Sequence, residues 1–249
     1  MLALLTFLLL VETVRIDASL IIATIPKSGT HLVENALRQI TGLEPLQPEP
    51  DPLLFRLPQD TLKGYFKNQP GNCFYSSHLN YTPDNEQLAL QLGKKIIMIL
   101  RDPRDQVVSN TYWMHSLPEV YTQWKGQSFD QILRYNIENI VHFYAFWLPW
   151  LYSPLTYTLR FEDLVGEKGG GSAHRQKMAI KLLAEELGYR LTSRKIEEIG
   201  QSLYGNSMTF RSGKIGSWKH HFNHEHKALF KKHGGKILRD LAYEEDLNW

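Results

Sequence analysis

The sequence predicts a three-layer α/β/α domain built on a central parallel sheet. Three observations carry this: short unbroken apolar runs of strand length, amphipathic stretches of helical period, and alternation of the two along most of the chain. Bulk properties agree. At 249 residues, 43% hydrophobic and 22% charged, the chain suits one large α/β domain with one core. A formal net charge of +2 gives no whole-protein field for nucleic acid or an anionic membrane, so an anion site must be assembled locally. Cys73 is the only cysteine, which excludes an internal disulfide and a cysteine-based zinc site.

The domain is expected over residues 19–249, with 1–18 as a separate apolar N-terminal segment. Its opening run, MLALLTFLLLV, is the length of a signal-peptide core and short for a bilayer span. No Lys or Arg precedes it and no clear small-x-small cleavage site follows. The expectation is a helix or strand packed on the core in a cytoplasmic protein. A signal or anchor, with secretion or membrane association, is the alternative.

The elements follow in order. Ser19–Thr24 is a β-branched apolar run, as in a buried parallel strand. Thr30–Thr41 carries Leu32, Val33, Ala36, Leu37 and Ile40 at helical spacing, and Gly42 stands at the C-cap position. Residues 43–70 contain Pro45, Pro48, Pro50, Pro52 and Pro58 and read as a long irregular excursion. Cys73–Ser76 is a short strand and Lys95–Leu100 (KIIMIL) the clearest one. Asp102 can then cap a helix whose first position is Pro103. Ser128–Trp147 opens with a Ser-x-x-Gln box and continues as one aromatic-rich amphipathic helix. Leu155–Leu159 is a strand, Gly169–Gly171 a flexible loop, and helices are expected at 174–187, 192–204 and 224–241.

Three segments carry chemistry. Pro26-Lys27-Ser28-Gly29-Thr30 joins a strand to a helix, where backbone N–H groups and the positive end of the helix dipole meet an anion. Gly29 permits close approach, Ser28 and Thr30 add hydroxyls, and Lys27 adds charge. A Walker loop has its lysine after the second glycine; here Lys27 precedes the only one. The second segment, Arg101-Asp102-Pro103-Arg104-Asp105 with Ser109, begins at the carboxyl end of the strongest strand, where α/β sheets gather ligands. Arg101 can grip phosphate bidentately. The third, from Phe210-Arg211-Ser212-Gly213-Lys214 to Trp218-Lys219, is a basic loop suited to clamp an anion.

Together, in this order and spacing, the three segments resemble the donor-binding signature of the cytosolic-type sulfotransferase family. The likeness runs from about residue 19 to the C-terminus. It implies a topology like that of P-loop nucleotide kinases and an enzyme using 3′-phosphoadenosine 5′-phosphosulfate (PAPS) without a metal. By that resemblance Lys27, Ser28, Gly29, Thr30 and His31 form the 5′-phosphosulfate loop. Arg101 and Ser109 hold the 3′-phosphate, and Arg211, Ser212 and Gly213 complete the grip. His78 stands where the family places its catalytic histidine, so Lys27 and His78 are the expected catalytic pair. The acceptor is expected to be a small molecule offering a hydroxyl or amine, with neither nucleic acid nor membrane as partner.

The chain also departs from the family. Ser76 occupies the position, two before the histidine, where a lysine is common, so one transition-state cation is missing or comes from elsewhere. Leu32, Phe161 and Leu203 replace aromatics expected around adenine. Ser212 replaces a basic residue, and Lys219–Ala228 matches the family's dimerisation segment poorly, leaving oligomeric state open. The Pro-rich 43–70 stretch and the aromatics Tyr112, Trp113, Tyr121 and Trp124 are the acceptor-pocket candidates, with ordinary core as the other reading for the aromatics. His220, His221, His224 and His226 read as a solvated or pocket-edge face rather than a metal site. Two rivals stand: an ATP-dependent small-molecule or nucleotide kinase, and a non-catalytic binder of PAPS or its product.

Overall fold

The computed structural model describes residues 20–46, 57–205 and 211–249. The N-terminal segment, Ser19, the middle of the Pro-rich stretch and Phe210 lie outside them. The described strands are β1 (Leu20–Ala23), β2 (Glu44–Leu46), β3 (Cys73–Ser77), β4 (Lys95–Leu100) and β5 (Thr156–Arg160). They form one all-parallel sheet in the order β2-β3-β1-β4-β5.

Among the described residues ten α-helices connect and cover the strands: α1 (Thr30–Thr41), α2 (Gln59–Lys67), α3 (Pro83–Gln91), α4 (Pro103–Ser116), α5 (Phe129–Glu138), α6 (Ile140–Ala145), α7 (Phe161–Leu164), α8 (Ala173–Glu186), α9 (Ser193–Leu203) and α10 (His224–Asp240). Because strand side chains alternate in direction, the sheet divides the core into two layers rather than one. Leu20, Ile22, Ile97 and Ile99 face α1, α8 and α9; Ile21, Ala23, Ile96 and Met98 face the α4, α5 and α10 side. Burial on both faces explains why β1 and β4 read as continuous apolar runs.

The chain leaves β1 through α1 on one face and later crosses from β3 over β1 to β4 on the other. The strand order therefore reverses around β1, and the crevice that forms at such a reversal opens at the carboxyl ends of the strands. The segments following β1, β3, β4 and β5 all begin there.

Caps agree with the sequence. Gly42 ends α1 in the left-handed conformation and donates its N–H to Arg38 O. Asp102 accepts from Arg104 N with Pro103 in the first turn of α4, and Ser128 and Gln131 form the reciprocal box of α5.

Three expectations are corrected. The described parts of 43–70 are ordered structure, not irregular excursion. β2 pairs with β3, Pro45 being tolerated in a strand at the sheet edge, and α2 starts directly after Pro58. The expected helix over 128–147 is two, broken at Asn139, and closes in 3₁₀ turns around Trp150. Gly169–Gly171 is tightly packed rather than loose. Gly169 O accepts from Ile215 N at 2.9 Å, and a Cβ on Gly169 would stand 2.3 Å from Val165 Cγ2 and 2.7 Å from Gly213 O. The triplet is glycine-rich because it seats the basic loop at close range. Gly169→Ala should therefore lower the melting temperature by about 4–8 °C, corresponding to roughly 2 kcal/mol of overpacking; thermal unfolding followed by circular dichroism measures it.

Candidate active site

The turn after β1 is unusual in its backbone. Lys27 has φ 69°, a left-handed conformation rare for a side-chain-bearing residue and concentrated at functional sites. Gly29 has φ 117°, and a Cβ there would meet Phe161 Cδ2 at 2.9 Å. Only glycine fits, and the turn is pressed against the start of α7.

The second segment locks this turn. Arg101, buried at the end of β4, donates from Nη1 to Lys27 O at 3.3 Å and from Nη2 to Lys214 O at 3.1 Å. Its guanidinium lies 4.4 Å above the Phe161 ring. Gln106 on α4 donates to Pro26 O at 2.8 Å. Asp105, fully buried, accepts from Gly216 N, Ser217 Oγ and Trp218 N at 2.7, 2.9 and 2.8 Å. A single carboxylate thus fixes the far end of the third segment to α4.

A cavity of about 850 Å³ opens over these loops. Lys27, Gly29, Thr30 and His31 line it from the first segment, Arg101 and Ser109 from the second, and Arg211, Ser212 and Gly213 from the third. Phe161, Leu203 and Leu32 supply apolar wall, and His78 reaches in from the end of β3. Ser28 is the exception among the expected residues: it lies behind the lining, wholly buried. Its Oγ and Arg101 Nε are both buried without a hydrogen-bond partner among the described residues. Leaving buried donors unmade is costly, so two orphaned donors beside a basic turn fit a phosphate-bearing ligand.

Charge is concentrated here. Burial, then the neighbouring Arg101 and Arg211, push the Lys27 ammonium down to about 8. Lys27 Nζ rests 4.0 Å above the Trp113 ring, and Arg211 rests 4.0 Å above Tyr112. Both cations are held on aromatic faces rather than paired with carboxylates.

His78 is fixed by its backbone neighbourhood. Its Nδ1 donates to Thr24 O at 2.7 Å, so in the neutral ring Nε2 carries the lone pair. Burial holds its pKa below the ordinary histidine value, the Thr24 hydrogen bond opposing and Lys27 and His31 reinforcing. Thr24 Oγ1 also meets Thr30 Oγ1 at 2.6 Å, and Trp147 Nε1 donates to His78 O at 3.1 Å.

Sequence reasoning missed Thr24, Glu34 and Trp147. Glu34 lies on the buried face of α1 and lines the cavity, accepting from His31 and from Ser76. Its helical position signals burial, but nothing local names Ser76, 42 residues away, as partner. Of the aromatic candidates, Trp113 and Tyr121 line the cavity together with Met114, Phe143 and Trp147. Tyr112 instead packs on Phe129 at 4.6 Å and Trp124 on Tyr135 at 4.6 Å. No described residue of 43–70 lines the cavity, and residues 47–56 lie outside the described residues. The histidine cluster is not a uniform solvated face either. His226 is buried and completes the α10 capping box, and His221 bonds the Tyr112 hydroxyl at 2.9 Å. Among the described residues no group of three or more His, Cys, Asp or Glu is placed to hold a metal ion, and no helix is long and apolar enough to cross a membrane.

Known proteins resemble this chain in sequence and in fold. A family model described as Sulfotransferase domain matches residues 17–242. Sulfotransferase 6B1 of Danio rerio is 28% identical over 232 residues, covering 83% of this chain and 74% of that protein. Mouse sulfotransferase SULT7A1, solved with PAP, superposes with a TM-score of 0.68 at 18% identity, covering 90% of this chain and 88% of the other. Retinol dehydratase, solved with androsterone and the inactive cofactor PAP, gives 0.58 at 18% identity, covering 89% and 80%.

Asp105→Ala strands three donors at the base of the basic loop. It should destabilise the protein by about 3 kcal/mol, read from urea unfolding. It should also speed limited proteolysis within 211–220.

Proposed function

The chain belongs to the sulfotransferase domain family, and on that premise we propose that it moves a sulfuryl group from PAPS to a hydroxyl or amine of a small acceptor, with Lys27 and His78 at the reacting end. The observation that carries the reading is the meeting of four strand-end segments at one cavity, with Ser28 Oγ and Arg101 Nε as unpaired buried donors beneath it. The proposal includes the cytoplasmic setting, where Cys73 remains a buried thiol.

PAPS supplies an activated sulfuryl group and departs as PAP. Everything else is the work of the chain. The Gly29 turn and the N-terminus of α1 would present backbone N–H groups to the 5′-phosphate, with the Thr30 hydroxyl beside them and Ser28 buried behind the turn. Arg101, held by Lys27 O and Lys214 O, would bring its charge to the 3′-phosphate, and Ser109 and Arg211 would complete that contact. Phe161, Leu203 and Leu32 would supply the apolar wall for the adenine.

His78 accepts the acceptor's proton at Nε2. Its tautomer is preset by Thr24 O, and burial keeps the ring neutral near pH 7, so the lone pair is available without prior deprotonation. Lys27 donates to the bridging oxygen as charge develops there, a fixed electrostatic contribution made inside a partly buried site. Trp113, Tyr121 and Phe143 favour an acceptor with an apolar body.

Calorimetry with PAP and with ATP, each with and without magnesium, tests the reading. PAP should bind more tightly than ATP and independently of magnesium; a magnesium-dependent preference for ATP would overturn it in favour of a kinase. The PAP affinity should also depend on pH in one direction. Lys27 titrates near 8 without ligand, and adjacent phosphates raise that value. Binding therefore takes up a proton above about pH 8, and affinity falls as pH rises through that range.

His78→Ala should cut kcat by roughly two to four orders of magnitude while PAP affinity is retained. Parallel loss of PAP binding would mark His78 as structural.

A further inference from the structure

Two amides interrupt the largely aromatic part of the cavity wall. Trp147, whose Nε1 donates to His78 O, has its ring 5.1 Å from that of Phe143. Phe143 lines the cavity together with Asn110 of α4 and Asn136 of α5. The same three side chains also line a smaller cavity of about 220 Å³. The amides therefore stand at the partition where the two spaces meet, reached from His78 along Trp147 and Phe143.

Their hydrogen bonds can run in one direction only. Thr111 is wholly buried, and its Oγ1 lies 2.7 Å from Val107 O. A carbonyl brings no hydrogen, so the Thr111 hydroxyl donates there. Its oxygen is then left to accept, and the Asn136 atom that meets it at 3.0 Å is the amide nitrogen. Asn136 Oδ1 in turn accepts from Asn110 Nδ2 at 2.9 Å. The other hydrogen of Asn110 Nδ2 meets Met114 Sδ at 3.4 Å. One buried hydroxyl thus orients two amides in series. The two hydrogens of Asn110 are engaged, and its Oδ1 has no partner among the described residues. Asn136 Nδ2 keeps one hydrogen beyond the bond to Thr111.

We propose that Asn110 and Asn136 select the acceptor, reading a second hydroxyl at the far end of its apolar body. That hydroxyl would donate to Asn110 Oδ1 and accept from Asn136 Nδ2, completing both amides at once. An ether or ketone oxygen can take the Asn136 hydrogen but has none to give to Asn110. A bare apolar end strips water from both amides and returns no hydrogen bond, which costs binding. With the nucleophilic group at His78 and the second hydroxyl at the amides, the acceptor is a diol or an amino alcohol held in one orientation. Thr111 lines neither cavity and is a positioning residue, acting through the direction it imposes on the amides. This rests on the sulfotransferase reading and names the acceptor class of that same site.

Binding to the PAP complex of the full chain tests this without requiring turnover. Calorimetry compares ring-matched pairs of increasing length: hydroquinone with phenol, para,para′-biphenol with para-phenylphenol, and para,para′-dihydroxystilbene with para-hydroxystilbene. In the pair of fitting length the diol should bind about tenfold more tightly than the mono-ol, beyond the roughly twofold statistical gain of a symmetric diol, and its monomethyl ether should fall to the mono-ol's affinity. Asn110→Leu should abolish the preference. Thr111→Val should also abolish it while Thr111→Ser retains it, with PAP affinity unchanged in both, and this pair carries the test if Asn110→Leu does not fold. Absence of a diol preference in every pair, failure to bind included, overturns the assignment. So does a preference that survives Asn110→Leu or Thr111→Val, or one that Thr111→Ser fails to keep. Wild-type protein that does not bind PAP would instead defeat the sulfotransferase reading itself.

Discussion

Arg101 is the joint on which the site depends. It closes β4, reaches back to the carbonyl of Lys27 and forward to that of Lys214, and so ties together three segments separated by 74 and 113 residues. Both carbonyls belong to loops that would otherwise have little reason to approach each other. A buried guanidinium needs several acceptors to offset its desolvation. Backbone oxygens provide them without neutralising its charge. The side chain therefore acts as a structural clasp while remaining a full cation, and its position is set before any ligand arrives.

Carboxylates near the site have been given other work. Asp105 is spent on three donors of the basic loop. Asp102 takes Arg104, which lies between Trp218 and Trp249 and also pairs with Glu244. Glu162 accepts from Asp102 N and the Tyr243 hydroxyl. Lys27 and Arg211 are left on aromatic faces, which stabilise a cation without cancelling it. The arrangement concentrates uncancelled positive charge in a protein whose formal net charge is only +2.

Much of this was legible in the residues. The runs at β1 and β4 betray burial on both faces, Gly42 and Asp102-Pro103 mark helix ends, and the three donor segments announce themselves by composition and order. What stayed hidden depends on distance in sequence. The Glu34–Ser76 bond and the Trp147–His78 contact join residues 42 and 69 apart, and no periodicity connects them. The packing of Gly169 against Gly213 is hidden too, because glycines in a row suggest freedom, whereas here they are the consequence of crowding. β2 is hidden for a related reason. Proline argues against a strand interior, and only the sheet order reveals that Pro45 sits on an edge.

That edge proline has a bearing on behaviour in solution. A parallel sheet whose outermost strand offers free N–H groups is a template onto which another chain can add. In β2 the Glu44 N–H turns inward to Asn72 O, so the next backbone nitrogen, that of Pro45, points away from the sheet. It has no hydrogen to give. A neighbouring strand arriving at that register would find the donor row interrupted and a ring in its path, which protects a short, exposed strand from edge-on growth of the sheet into a larger assembly.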